Sequence, residues 1–244
     1  VERRLPFSEP SRAMEIGTAI HGCILEGKAL DDVLRVIPLH CLKSNGAINP
    51  GPTAEFKASL PPGCSAVKLE ELHGVVAAVD AVRTRIGKLL ELPQVLFERA
   101  IYWTHPTTGL RCRMKADIIA DVGPFILVTD LKTTDDAEAS KFRQKIIGLK
   151  YWIQAAQYSE GVRLWAKDVL NVSKPVQFRF LAIERDGLCQ CSEHMLMPGD
   201  MAQAEDSRDR LLRRLADCYE NNQWQDSWEQ EVNEVSLPDY AFGV

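Results

Sequence analysis

Residues 111–134, RCRMKADIIADVGPFILVTDLKTT, constrain the fold of this chain more than any other stretch. Two runs rich in β-branched and apolar residues flank Gly123-Pro124, a dipeptide that turns the chain, so the segment reads as a β-hairpin. If Val122 faces Phe125 across the turn, the register carries on until Asp117 lies opposite Asp130. Directly opposed side chains share a face, with Cβ atoms about 4.5–5.5 Å apart. Two carboxylates held so close repel each other unless a cation lies between them, and carboxylate oxygens suit a hard ion such as Mg²⁺ or Mn²⁺. Lys132, two residues beyond Asp130, falls on the same face and is expected opposite Lys115. An Asp-x-Lys by itself is also what a surface hairpin with solvated charges would show. The register, the apolar run Ile126-Leu127-Val128 before Asp130, and a basic tract downstream favour a site.

Around this hairpin the chain reads as mixed α and β. Residues 95–104, which include Glu98, form a strand with β-branched and aromatic side chains, and 105–109 form a turn. Strands at 95–104, 110–120 and 125–131 then make an antiparallel meander. Apolar residues at helical spacing predict helices at 11–26, 69–92, 137–148 and 151–164, and a charged amphipathic one at 201–221. Residues 176–183 alternate like a further strand. Pro38, Asn45-Gly46, Asn49-Pro50-Gly51-Pro52 and Pro61-Pro62-Gly63 mark 30–68 as loop with short pieces of order, and 236–244 reads as extended or loose.

With 244 residues, the chain is one large domain or two small ones. A net charge of −5 excludes a protein coated in positive charge. The charge is uneven, however. Residues 137–180 carry eight Lys/Arg against three acids, and 184–244 carry fourteen acids against five Arg. Such a basic tract suits a local phosphate track or an ordinary solvated face. Seven scattered cysteines, an odd number in a chain this long, read as reduced thiols and a cytoplasmic location. Cys189-Gln-Cys191 is too tight for a usual zinc knuckle. No apolar run approaches the roughly 18 residues of a membrane span, and no signal peptide is visible. A start at Val1 rather than Met reads as a fragment.

Five pieces recur in one order: Gly17-Thr18-Ala19-Ile20-His21, Phe97-Glu98, Lys115-Ala116-Asp117, Asp130-Leu131-Lys132-Thr133-Thr134, and Gln154 with Tyr158 in a Q-x-x-x-Y pattern. On these the chain resembles the PD-(D/E)xK nuclease superfamily, in its RecB-like branch, and the nuclease domain of the phage-type exonuclease VIII (RecE). The resemblance implies a restriction-endonuclease-like α/β core, a mixed β-sheet with an antiparallel meander flanked by helices. It divides one nuclease domain over 1–244 into N-terminal helices and loops (1–93), a catalytic core (94–183) and a C-terminal acidic helical region (184–244). It implies Mg²⁺- or Mn²⁺-dependent exonuclease action on double-stranded DNA ends in phage-type recombination. His21, Asp117, Asp130 and the Leu131 carbonyl would hold the metal, and Glu98 would support them. Lys132 would be the catalytic cation, and Gln154 and Tyr158 would place the substrate. A ring-shaped homo-oligomer and a single-strand annealing partner are implied as well. The alternatives are an endonuclease or other repair nuclease of the same fold, or a catalytically silent nucleic-acid-binding module.

Overall fold

The computed structural model of the chain describes residues 11–185 and 189–224. The expected loose end at 236–244 lies outside the described residues. The N-terminal part runs through α1 (Arg12–Leu25), α2 (Leu30–Val33), β1 (Leu34–Val36), a 3-10 turn at Leu39–Cys41, α3 (Pro50–Ala58), β2 (Ser65–Val67) and α4 (Leu69–Leu90). The meander follows as β3 (Val95–Thr104), β4 (Arg111–Asp121) and β5 (Ile126–Thr134). Then come α5 (Ala139–Gly148), α6 (Tyr151–Leu170), β6 (Val176–Glu184), β7 (Cys191–His194) and α7 (Pro198–Asn221).

A mixed sheet in the order β3-β4-β5-β6-β7 organises the chain. Its strands pair antiparallel except β5 and β6, which run parallel and are joined through α5 and α6. β5 lies at the centre and is buried continuously from Ile126 to Leu131. A strand covered on both faces needs such an unbroken apolar run. Ile20 of α1 and Val75, Val79 and Val82 of α4 pack on one face, against Ile118, Leu131, Leu181 and Ile183. On the other face, Phe142 and Ile146 of α5 and Val162 and Trp165 of α6 pack against Val128, Phe178 and Phe180.

The hairpin register is as the turn predicts. Val122 N–H donates to the Phe125 carbonyl, and the ladder runs from Asp121↔Ile126 to Ile118↔Thr129. Gly123, with φ +96°, supplies the left-handed turn residue that a side chain would resist.

Six elements differ from the sequence reading. Residues 50–58 form a helix because Pro50 and Pro52 sit in its first turn, where a missing N–H costs nothing. β1 and β2 pair in parallel within the stretch read as loop. α6 continues past 164 to Leu170, since Trp165 and Ala166 extend its buried stripe. Likewise α7 begins at Pro198 rather than 201, and β7 is an edge strand too short to show alternation.

Close approach of α6 to the meander depends on Gly161. A Cβ there would lie 2.8 and 2.9 Å from two ring carbons of Trp103. That ring cannot yield easily, because its Nε1 donates to Glu160 Oε2 at 3.4 Å. Gly161→Ala is therefore expected to destabilise the fold by about 1–3 kcal/mol, as overpacking does, despite the helix propensity of alanine. Thermal denaturation should show a fall in Tm of several degrees, and an unchanged Tm would count against this packing.

One irregularity shapes the site. On β3, Val95 and Phe97 pack under α1 and α4, yet Ile101 and Trp103 pack under α6. On β4, Met114 and Ala116 pack under α6, yet Ile118 packs on the opposite face. Residues an even number apart should share a face, so both strands switch face at one level. That level is Glu98 and Asp117, between the pairs Phe97↔Ile118 and Arg99↔Ala116. Glu98 adopts φ +50°, a left-handed backbone inside a strand. Strain of this kind persists where the surroundings enforce it, and it clusters at functional sites.

Candidate metal centre

The β4–β5 ladder stops at Ile118↔Thr129, one pair short of Asp117 and Asp130. Beyond it the strands splay, and the main-chain groups of Leu131 turn to side chains instead. Its N–H donates to Asp117 Oδ2 at 2.7 Å. Its carbonyl accepts from His21 Nε2 at 2.9 Å. A carbonyl only accepts, so Nε2 carries the ring proton and Nδ1 keeps its lone pair, 3.8 Å from Asp117 Oδ2. Burial lowers the His21 pKa, partly offset by the bond to Leu131, which favours the neutral, ligating ring. This is how metal-binding histidines are commonly oriented, by a bond from the other nitrogen. The Leu131 carbonyl, implied as a ligand by the resemblance, anchors that histidine here.

His21, Glu98 and Asp117 each bring a donor atom within 4.8 Å of the others. Asp130 stands beside this trio, its side chain 3% exposed. Gln154 Nε2 donates to Asp130 Oδ1 at 2.6 Å, and Lys132 Nζ lies 2.5 Å from Oδ2. The splayed strands thus open a slot reached by His21 from one helical layer and by Gln154 from the other. Lys115, expected to face Lys132, instead pairs with Glu98 at the exposed mouth of the slot. Its strand has left the β5 ladder by that level, so the two lysines do not oppose each other.

Charge in the slot is unbalanced. Burial, then the neighbouring Asp130, push the Asp117 pKa up to about 7, against the opposing pull of Leu131 N–H and Lys132. Burial likewise raises Asp130, although Lys132, His21 and Gln154 oppose it. Burial alone would lower Lys132, but Asp130 and Asp117 outweigh it and keep the ammonium charged. Carboxylates crowded out of water, with a neutral imidazole beside them, are a donor set that fits a divalent cation.

Gln154 and Tyr158 share one face of α6, as their spacing predicts. Tyr158 is half-buried and meets Phe178 edge to face at 6.1 Å. Tyr151 was not singled out in the sequence, yet the Lys132 ammonium lies 4.8 Å from its ring centroid. The available signal was spacing, since Tyr151, Gln154 and Tyr158 follow at i, i+3 and i+7 on one helical stripe.

Residues 2–231 match the family model described as a PDDEXK-like domain of unknown function (DUF3799). The chain belongs to this family. Its fold is accordingly the PD-(D/E)xK core, a mixed sheet with helices on both faces. No match in sequence is found among curated proteins. Among solved structures, a candidate exonuclease of Eubacterium rectale is similar at a TM-score of 0.53 and 14% identity, covering 97% of this chain and 80% of that one. A protein designated SSO0001 is similar at a TM-score of 0.33 and 16% identity, covering 65% of this chain and 64% of that one. Protein VC1899 of Vibrio cholerae follows at 0.23 and 10%, with coverage of 84% and 52%. The last two carry no argument at such scores, and the first speaks to fold alone. Within the family frame, Asp130-Leu131-Lys132 occupies the end of the central strand and Asp117 the adjoining one.

A second group, His105, Glu160 and Asp209, also gathers within 4.8 Å. Arg208 fills it, with Nη2 3.2 Å from Glu160 Oε1 and 2.6 Å from Asp209 Oδ1, and with Nη1 donating to the Ala156 carbonyl. This network fastens α7 to α6.

Proposed function

We propose that the chain hydrolyses phosphodiester bonds in DNA with the aid of Mg²⁺ or Mn²⁺. The observation that carries the reading is the slot at the β4–β5 splay, where His21, Glu98, Asp117, Asp130 and Lys132 converge in a PD-(D/E)xK fold. His21, Glu98 and Asp117, backed by Asp130, would hold the cation. When bound, such an ion lowers the pKa of water and stabilises charge on a phosphoryl oxygen. Lys132 contributes a fixed positive charge, held between Asp130 and the Tyr151 ring, toward a phosphate at the mouth of the slot. Gln154 orients Asp130, and Tyr158 stands one turn further along the same face of α6. Leu131 fixes both Asp117 and His21 through its two main-chain groups.

The finer reading is a cytoplasmic exonuclease acting at double-stranded ends in phage-type recombination. It acts as one nuclease domain over 1–244, assembled as a homo-oligomeric ring and working with a single-strand annealing protein. The resemblance to RecE-like nuclease domains supports it. Among the described residues no helix is long and apolar enough to cross a membrane. Equal amounts of linear and covalently closed circular duplex, incubated with Mg²⁺, test the exonuclease reading. Linear DNA should disappear while circles persist. Attack on circles would replace this reading with an endonuclease. Binding without hydrolysis of either form would leave a catalytically silent nucleic-acid-binding module.

A further inference from the structure

The basic tract at 137–180 is partly neutralised. Lys145 pairs with Asp135, Arg163 with Glu160, Lys174 with Asp121, and Arg179 with Glu193. A different basic surface leads to the slot. On the β3–β4 hairpin, Thr104 pairs with Arg111, Tyr102 with Arg113, and Ala100 with Lys115. Cross-strand partners share a face, so these six side chains form one surface, and all six are exposed. The opposite surface of the hairpin, Ile101, Met114 and Ala116, is buried under α6. Arg111, Arg113, Lys115 and Asp117 follow at every second position of β4. Three cations in a straight row therefore end on a carboxylate of the slot.

The row is available to a ligand. Arg111 and Arg113 make no hydrogen bond or ion pair among the described residues. Lys115 is held by Glu98 at the mouth of the slot. No acid lies on this face of the hairpin until Glu98 and Asp117. Tyr102, directly across from Arg113, is 73% exposed. A tyrosine ring standing so far out of the core on a strand, facing Arg113 with Arg111 and Lys115 on either side of that partner, has no packing role among the described residues.

We propose that the outer face of the β3–β4 hairpin binds one single strand of nucleic acid and leads it into the slot at Asp117. Successive cations stand about 6.8 Å apart along the strand, a step comparable to that between successive phosphates of an extended nucleic-acid strand. A single line of positive charge follows one backbone, and an exposed aromatic ring offers a stacking platform to an unpaired base. In an intact duplex the base faces are covered by their neighbours, so Tyr102 has nothing to stack on there. The proposal deepens the nuclease reading and rests on it for the direction of the strand. It states that the strand to be cut is presented unpaired.

The test measures binding of a fluorescein-labelled oligo(dT) of twenty nucleotides over a range of salt concentrations. It uses the full chain with Asp130→Asn, so that cleavage does not intervene. Arg111→Gln with Arg113→Gln should weaken binding at least tenfold. It should also reduce the slope of log affinity against log salt by about 1.4, at about 0.7 per lost phosphate contact. Tyr102→Ala should weaken binding several-fold and leave that slope unchanged, because stacking releases no counterions. The rise in melting temperature on adding Mn²⁺ to the parent, absent these changes, should be the same with them, which separates loss of the track from damage to the slot. Unchanged affinity and slope in the double variant would overturn the proposal. So would an equal loss for a blunt duplex of the same length with none for oligo(dT). Hydrolysis of linear DNA by the parent with Mn²⁺ is read separately. Its failure overturns the nuclease reading, and the binding measurements still decide the track.

Discussion

Asp130→Asn is expected to lower metal-dependent DNA hydrolysis by at least about a thousandfold, while DNA binding stays within about twofold of the parent. The carboxylate is almost wholly buried and both oxygens are engaged, Oδ1 by Gln154 at 2.6 Å and Oδ2 by Lys132 at 2.5 Å. Its negative charge therefore does two things. On the proposed reading it would strengthen the slot's hold on a cation, and it fixes the Lys132 ammonium over the Tyr151 ring. Removing a single preorganised group at a site of developing charge commonly costs about 10²–10³ in rate. Here one substitution disturbs two such groups. Asparagine is the informative replacement because it keeps the shape. Alanine would also leave Lys132 buried beside a void, and loss of one partner of a buried pair destabilises by about 3–5 kcal/mol. Initial rates on end-labelled linear duplex with Mg²⁺, beside melting curves, check this. Activity within tenfold of the parent, or equal activity in EDTA, would contradict a metal-dependent role for Asp130.

Asp117→Asn should reverse the sign of its effect on stability when a divalent cation is added. Without metal, burial and Asp130 raise the Asp117 pKa to about 7. Below about pH 4 the carboxyl is protonated in the folded and the unfolded chain alike, and it contributes no pH dependence. As pH rises from about 4 to about 7, the unfolded chain releases the proton and the folded chain retains it. Stability from this group falls through that window, and the loss is complete above it. Each unit of difference corresponds to about 1.4 kcal/mol, so the metal-free parent at pH 8 is destabilised by an amount on the order of a few kcal/mol. Asparagine removes the ionisation while its amide oxygen can still accept from Leu131 N–H. The metal-free variant should thus melt several degrees above the parent at pH 8, at about 2–4 °C per kcal/mol for a chain of this size. With Mn²⁺ at a hundred times its dissociation constant, the parent should gain about 2.7 kcal/mol and the variant little. Thermal melts at pH 5 and pH 8, with EDTA or Mn²⁺, give all four comparisons. A parent that Mn²⁺ does not stabilise would remove Asp117 from the metal set.

These two expectations depend on different parts of the chain to very different degrees. The facing register of the hairpin was legible in Gly123-Pro124 and the two runs beside it, because a tight turn and a period of two are local properties. The shared face of Gln154 and Tyr158 on α6 was legible for the same reason, since side chains at i and i+4 meet on one face wherever the helix is placed. Even the buried central position of β5 could be read, because Ile126-Leu127-Val128-Thr129 does not alternate. Less legible was 30–68, where proline marks a helix start as readily as a turn, so α3 was hidden among turn residues.

The amino-acid sequence by itself determined the meander, its register as far as Ile118 and Thr129, and the nearness of Asp117 to the Asp130-Leu131-Lys132 segment, since each follows from neighbours along the chain. Only the tertiary structure decided how those groups divide their work. His21 meets Leu131 across 110 residues of chain, and no local pattern specifies that contact. The face switch at Glu98 and Asp117 arises because β3 and β4 must serve α1 and α4 at one end and α6 at the other. That switch turns Glu98 into the slot beside His21. The splay that ends the ladder leaves Leu131 to hold both the Asp117 and the His21 side chains, and it places Lys132 against Asp130 rather than Lys115. Register is set by short-range geometry, whereas the convergence of donor atoms is set by the packing of two helical layers on one sheet.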